Sequence, residues 1–287
     1  MTTIAFLTSE ELADLTADDR LAVAALEARG ARVVPAVWTD ARVDYAAFDA
    51  VVVRSTWDWH RDARAFAALL ESIERKTRVF NERAYAWLDK RYLEKLAARG
   101  VRTVPMRVAE RASELDAKIA ECNHSRIVLK PATAAGARRT FKLDARDREG
   151  VRAAAEKIFA ANDAVIVQEY VDAIVTDGEW SLVFFDGAFS HALKKRPARG
   201  DFRVQEEFGG TLSSEAPPRE VIAMAERTLD ASGADFLYAR VDGVVSAPHG
   251  GFCVTELEVV EPELFFRIDT QSAARFADAL VARARAR

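Results

Sequence analysis

Phe236-Leu237-Tyr238-Ala239-Arg240-Val241-Asp242-Gly243-Val244-Val245-Ser246, followed by Ala247-Pro248-His249-Gly250-Gly251 and then Phe252-Cys253-Val254-Thr255-Glu256-Leu257-Glu258-Val259-Val260, reads as two strands around a turn. The flanks are rich in strand formers and the centre is a cluster of turn formers of hairpin length. Side chains alternate faces along a strand, so Arg240 and Asp242 share one face and Glu256 and Glu258 share one face, with Val241, Leu257 and Val259 pointing the other way. If Ser246 pairs with Phe252, the same register sets Asp242 opposite Glu256 and Arg240 opposite Glu258. Like charges directly opposed destabilise a sheet by about 0.2–1 kcal/mol. A cation reverses that sign, and Mg²⁺ is usually held by one or two protein carboxylates with phosphate oxygens and water completing its shell. The pattern therefore suggests a metal-nucleotide site, against the plainer alternative of an exposed polar face with a surface salt bridge.

Outward from the hairpin, the 287 residues alternate in a way that predicts an α/β protein. Strands are expected at Ile4 to Leu7, Arg32 to Trp38, Ala50 to Arg54 and Arg78 to Phe80, with helices over Asp18 to Arg29 and Ala63 to Arg75. That is an α/β lobe with a mainly parallel sheet. A helix from Tyr85 to Arg99 opens a second lobe. A helix near Ser113 to Cys122, strands over Arg126 to Lys130 and Phe141 to Leu143, a helix over Asp147 to Ala161 and a strand from Ala164 to Val171 complete it. A third, antiparallel lobe carries strands Glu179 to Phe185 and Ala188 to Lys194, a helix near Pro218 to Ser232, the hairpin and a closing helix from Gln271 to Arg285. The loop from Arg196 to Pro217 is long enough to suggest a lid or binding role. The expected divisions are residues 1–82, 83–168 and 169–287.

Half of the residues are hydrophobic and the net charge is −4, which fits a folded chain and gives no footprint for wrapping nucleic acid. Cys122 and Cys253 lie far apart without metal or redox spacing, as expected of free thiols in a reducing compartment. The start of the chain lacks the basic and apolar regions of a signal peptide, and no apolar run approaches bilayer length. The expectation is a cytoplasmic protein with no membrane partner.

The motifs of P-loop, dinucleotide-binding, zincin and α/β-hydrolase sites are absent. Lys130 ends an apolar strand and is followed by Pro131, so an amine is held at a sheet edge where it needs an anion. Ala132 to Thr140, with Gly136 among small residues, permits backbone N–H groups to approach phosphates, though it also reads as an ordinary connector. Lys194 to Arg203 packs Lys195, Arg196 and Arg203 into a basic run, which is either a solvated turn or a grip on a phosphate or carboxylate. Arg54 to His60 lies at the carboxyl edge of the first sheet, where ligands collect in such lobes. Ser55 or Thr56 could equally be a helix N-cap there. Lys90 is expected on a helix, where a lysine is ordinarily solvated.

Taken in order, these pieces resemble the ATP-grasp superfamily, in the branch of glutathione synthetases, D-alanine–D-alanine ligases and ribosomal-protein glutamate ligases. The resemblance implies a Rossmann-like lobe ahead of two lobes that grip ATP. It implies that Lys90 and Lys130 contact phosphates, that Gln168-Glu169-Tyr170-Val171 is a hinge meeting adenine, and that Glu179 holds the ribose. It further implies Arg240 at the reacting acyl centre and Asp242, Glu256 and Glu258 as ligands of Mg²⁺, two ions in number, with Mn²⁺ a possible substitute. Two departures stand out: Glu258 is commonly Asn in these ligases, and the phosphate loop is poor in glycine. A narrower resemblance, on Arg54-Ser55-Thr56-Trp57-Asp58, Asp89-Lys90-Arg91-Tyr92-Leu93, Gly178-Glu179-Trp180-Ser181-Leu182 and Glu256-Leu257-Glu258, is to the cyclo-ligases that close the ring of cycloserine.

What the resemblance implies is an ADP-forming ligase that phosphorylates a small amino-acid-like carboxylate and joins it to nitrogen. A kinase on the same scaffold and a nucleotide-binding regulator without turnover are the alternatives. Arg54, Thr56, Trp57, Asp58, Lys195, Arg196 and Arg203 are the candidates for contact with substrate, and homo-oligomers are common among such ligases.

Overall fold

A computed structural model describes residues 1–161 and 163–286. The first lobe contains β1 (Thr3–Thr8), α1 (Ala17–Glu27), β2 (Arg32–Val37), β3 (Ala50–Ser55), α2 (Ala63–Glu74) and β4 (Arg78–Phe80). Its sheet has the order β2-β1-β3-β4 and is parallel throughout. β3 reads Ala-Val-Val-Val-Arg-Ser and is buried along its whole length, as a parallel strand covered on both faces must be. Local chemistry sets the helix starts: Thr16 accepts from the Asp19 N–H ahead of α1, and Asp62 accepts from the Ala65 N–H ahead of α2.

The second lobe follows α3 (Tyr92–Ala98) with β5 (Met106–Ala109), α4 (Leu115–Cys122), β6 (Arg126–Pro131), β7 (Phe141–Asp144), α5 (Arg148–Phe159) and β8 (Val165–Glu169). Its antiparallel sheet has the order β5-β8-β6-β7. The third lobe contains α6 (Ala173–Thr176), β9 (Glu179–Phe185), β10 (Ala188–Arg196), β11 (Thr211–Ser214), α7 (Arg219–Ser232), β12 (Tyr238–Ser246), β13 (Gly251–Glu258) and α8 (Ser272–Arg285). Its antiparallel sheet runs β11-β10-β9-β12-β13.

Three details differ from expectation. The helix expected over Tyr85 to Arg99 is broken: a short 3₁₀ turn spans Ala84–Trp87 and α3 begins only at Tyr92. Between them the Asp89 carboxylate accepts from the Arg91 N–H, and the Lys90 N–H donates to the Ala132 carbonyl at 2.8 Å. A local Asx bond and a tertiary bond thus take backbone groups that a helix would use. Lys90 stands on that turn, not on a helix. The expected loop from Arg196 to Pro217 contains β11, which pairs with β10 and leaves a shorter free segment.

The third difference concerns the hairpin register. Asp242 does face Glu256 and Arg240 does face Glu258, but Ser246 pairs with Gly251 rather than Phe252. A bulge between Asp242 and Gly243 compensates for the slip near the turn. Gly243 is required there, because a Cβ would lie 2.4 Å from the Phe252 ring and 2.6 Å from the Cys253 carbonyl oxygen.

The lobes share packing. Phe276 and Leu280 of α8 join Ile4, Phe6 and Leu26 of the first lobe and Phe185 and Tyr238 of the third in one buried cluster. The Asn81 side chain donates to the carbonyls of Tyr238 and Val259, each at 2.8 Å, and accepts from the Leu237 N–H at 2.6 Å. These bonds fix β12 and the end of β13 beside the first sheet. Among the described residues no helix is long and apolar enough to cross a membrane.

Candidate active site

The polar face of β12 and β13 forms the floor of a cavity of about 530 Å³ enclosed by all three lobes. Alternation places Arg240, Asp242, Glu256 and Glu258 toward it, while Val241 and Leu257 lie in the core. Cations from other elements meet these carboxylates. Lys90 Nζ is 2.8 Å from Glu256 Oε1 and donates to the Ala134 carbonyl at 2.6 Å. Arg240 Nη2 lies 2.9 Å from Asp242 Oδ2 and 2.6 Å from Glu258 Oε1. Lys195 Nζ bridges Glu179 Oε2 at 2.8 Å and Asp242 Oδ1 at 3.4 Å. Thr255 Oγ1 donates to the other Glu179 oxygen at 2.8 Å, and Ser181 donates to Asp242.

Burial pulls against charge throughout this lattice. Desolvation alone would raise Asp242, yet Arg240 and Lys195 hold it down at about 2. Glu256 is likewise depressed against its burial by Lys90 and Lys130. Glu258 goes the other way: burial pushes it up to about 8, outweighing Arg240, with Glu256 and Asp242 adding to the rise. Burial pulls the Lys130 amine down to about 8. Among the described residues Lys130 forms no ion pair of its own.

These features test the fit of a metal-nucleotide complex. An amine without an anion suits a phosphate, and a carboxylate strained by its neighbours suits a divalent cation. On β8, the buried Gln168 carries an amide Nε2 with no partner, a donor suited to a ring nitrogen or hydroxyl. By themselves the acidic groups do not close a metal shell: among the described residues no three Asp, Glu, His or Cys side chains converge far enough to hold an ion. Arg240 and Lys90 keep them apart, so phosphate oxygens would have to supply part of the shell.

The remaining candidates divide. Gly136, Gln168, Glu169, Tyr170, Val171, Glu179, Lys195 and Arg203 line the same cavity, as does Trp57. Gly136 has φ of 63° and is followed by Ala137 at 49°, so the loop makes the tight left-handed turn that lets backbone approach a ligand. Arg196, Arg54, Thr56 and Asp58 are not on the cavity wall. Arg196 is tied to Ser213 and Glu215, both at 2.7 Å. The Arg54 guanidinium is buried against Asp19 and donates to the Pro262 carbonyl, so it joins α1 to the third lobe. Thr56 is fully buried, and Asp58 accepts from Trp38 Nε1 at 2.7 Å in a separate cleft. Of the four candidates at this sheet edge only Trp57 lines the cavity; the sequence does not reveal which side chains of the segment turn inward.

Sequence reasoning missed Trp59, Tyr92, Glu261 and Glu263, which line the cavity. Tyr92 Oη accepts from the Leu257 N–H at 3.0 Å and so steadies β13 between its two carboxylates. The missed signal was the continuation of the acidic series beyond Glu258 at Glu261 and Glu263, where the strand pattern has already ended.

This fold and this convergence of lysines, an arginine and carboxylates define an ATP-dependent ligase, and comparison with known proteins agrees. Residues 94–269 match the ATP-grasp domain of prokaryotic glutathione synthetase, and residues 4–81 match the N-terminal domain of D-cycloserine synthetase DcsG. The chain belongs to the ATP-grasp family of carboxylate–amine ligases. It is 32% identical over 263 residues to the cycloserine biosynthesis protein DcsG of Streptomyces lavendulae, spanning 86% of this chain and 87% of that one. The crystal structure of D-cycloserine synthetase DcsG matches with a TM-score of 0.90 at 29% identity, covering 99% of this chain and all of that one. A RimK-domain ATP-grasp protein from Sphaerobacter thermophilus shares the fold, with a TM-score of 0.71 at 21% identity over 97% of this chain and 99% of its own.

Proposed function

We propose that this ligase activates the carboxylate of a small amino-acid-like substrate as an acyl phosphate and closes a C–N bond, within one molecule as in ring formation. The observation that carries this reading is the single cavity holding Lys90, Lys130 and Arg240 against Asp242, Glu256 and Glu258. The likeness to a protein named for cycloserine biosynthesis supports a ring-closing version.

Lys90 and Lys130 would hold the nucleotide phosphates, with Gln168 to Val171 at the base and Glu179 at the sugar. Asp242, Glu256 and Glu258 would hold Mg²⁺, which when bound spreads the charge of phosphoryl transfer. A substrate carboxylate oxygen attacks the γ-phosphorus, the bond to the β-phosphate oxygen breaks, and ADP leaves. The nitrogen lone pair then attacks the acyl carbon, the C–O bond to phosphate breaks, and the nitrogen loses a proton. Arg240, which donates to the Glu263 carbonyl at 2.9 Å, would stabilise the oxyanion of that second step. Phe202 and Arg203, on the segment between β10 and β11, line the cavity and would help keep water from the acyl phosphate.

The test is ADP release from Mg-ATP with a panel of amino acids and O-substituted serines, with product mass. Substrate-dependent ADP together with a product lighter by the elements of water or by a leaving group supports the ligase. A stable phosphorylated product would instead make it a kinase.

A further inference from the structure

Asp242 of β12, Glu256 and Glu258 of β13, and Glu261 and Glu263 of the segment that follows line the cavity. Four of the five have a cation of the chain beside them: Arg240 for Asp242 and Glu258, Lys90 for Glu256 and Arg267 for Glu263. Among the described residues Glu261 forms no ion pair. Its position is nevertheless fixed. Trp57 Nε1 donates to its backbone carbonyl at 3.1 Å, and Trp59 Nε1 donates to one oxygen of its carboxylate.

A carboxylate held by an indole donor, with no ion-pair partner among the described residues, is unbalanced unless a ligand supplies the charge. Trp57 and Trp59 stand beside it as cavity walls. An organic ammonium answers a lone carboxylate with a single charge-assisted hydrogen bond. A hydrated metal ion needs oxygen ligands in number, and one Glu oxygen here is already committed to an indole.

We propose that Glu261 is the specificity-determining residue that selects a substrate bearing a free ammonium group next to the carboxylate to be activated. This rests on the ligase reading above and names the substrate class: α-amino acids, with 2-hydroxy and N-acylated analogues rejected. Trp59 is a positioning residue acting through Glu261.

The experiment uses the full chain with Mg-ATP and compares two molecules: the O-substituted serine that releases most ADP, and the same compound with a hydroxyl in place of its amine. Wild-type protein is expected to use the amine and reject the hydroxy analogue. Glu261→Gln is expected to raise KM for the amino acid by about tenfold or more, the scale of a lost charge-assisted contact, and to narrow the discrimination equally. KM for ATP is expected to hold within about twofold, which also shows that the variant is folded. Trp59→Phe is expected to raise the amino-acid KM several-fold while kcat holds. Equal use of the two molecules by wild-type protein, or an unchanged amino-acid KM in Glu261→Gln, overturns the inference and leaves the ligase reading intact. Release of ADP with no amino acid at all overturns both.

Discussion

Two arginines on sheet strands have opposite fates in this molecule. Arg54 ends the apolar run of β3, and Arg240 sits in the apolar run of β12; both are buried and each is paired with an aspartate. Arg54 is closed in by Asp19, the Pro262 carbonyl and the rings of Tyr238 and Phe266. Its partners are spent on joining lobes. Arg240 keeps a second carboxylate, Glu258, and opens onto the cavity. A charged residue in an apolar strand therefore marks either a joint or a site, and the surrounding elements decide which.

Substitutions should separate the two. Arg240→Lys removes the planar fork that faces both Asp242 and Glu258 and is expected to lower kcat by about 10²–10³, the usual cost of losing an oxyanion donor, with a small change in melting temperature. Steady-state kinetics and a thermal melt read both quantities. Arg54→Met is the converse: it strands buried Asp19 and should cost about 3–5 kcal/mol of stability in a denaturant titration, with kcat of the folded fraction retained. An Arg54→Met protein of wild-type stability would mean that the joint is not where the lobes are held.

Gly243→Ala probes the bulge that lets Arg240 and Asp242 face Glu258 and Glu256. Forcing a Cβ against Phe252 should cost about 1–3 kcal/mol and weaken Mg-ATP binding along with it. The smallest effect concerns Lys130. Because burial lowers its amine to about 8, phosphate attraction is present below that pH and is lost as pH rises through it. The kcat/KM for ATP should fall on the alkaline side, and Lys130→Arg, which stays charged, should flatten that fall. An alkaline limb identical in both proteins would assign it to another group.

The class of fold was legible in the succession of apolar strands and amphipathic helices, and the floor of the site in the period-two alternation of β12 and β13. The opposition of Asp242 and Glu256 was anticipated from an unbroken register; in the structure the turn pairing is shifted by one residue and a single bulge between Asp242 and Gly243 restores the opposition. Lys90 was expected on a helix, since the sequence alone does not show that Ala132 takes its backbone N–H. The N-terminal contribution was the least legible. Four neighbouring side chains at one sheet edge were candidates, and only Trp57 reaches the cavity, while Trp59 two residues on does so as well. In an irregular segment there is no periodicity from which to read side-chain direction. Glu261 and Glu263 were hidden for the same reason.

The central claim is that the charged face of the hairpin holds a metal-nucleotide complex. Calorimetric titration of Mg-ATP into wild-type protein and into Glu256→Gln/Glu258→Gln tests it most directly. The account predicts Mg²⁺-dependent binding in the wild type and a loss of about tenfold or more in affinity in the double variant, with its fold retained. Equal affinity in the two proteins, or binding indifferent to Mg²⁺, would contradict it.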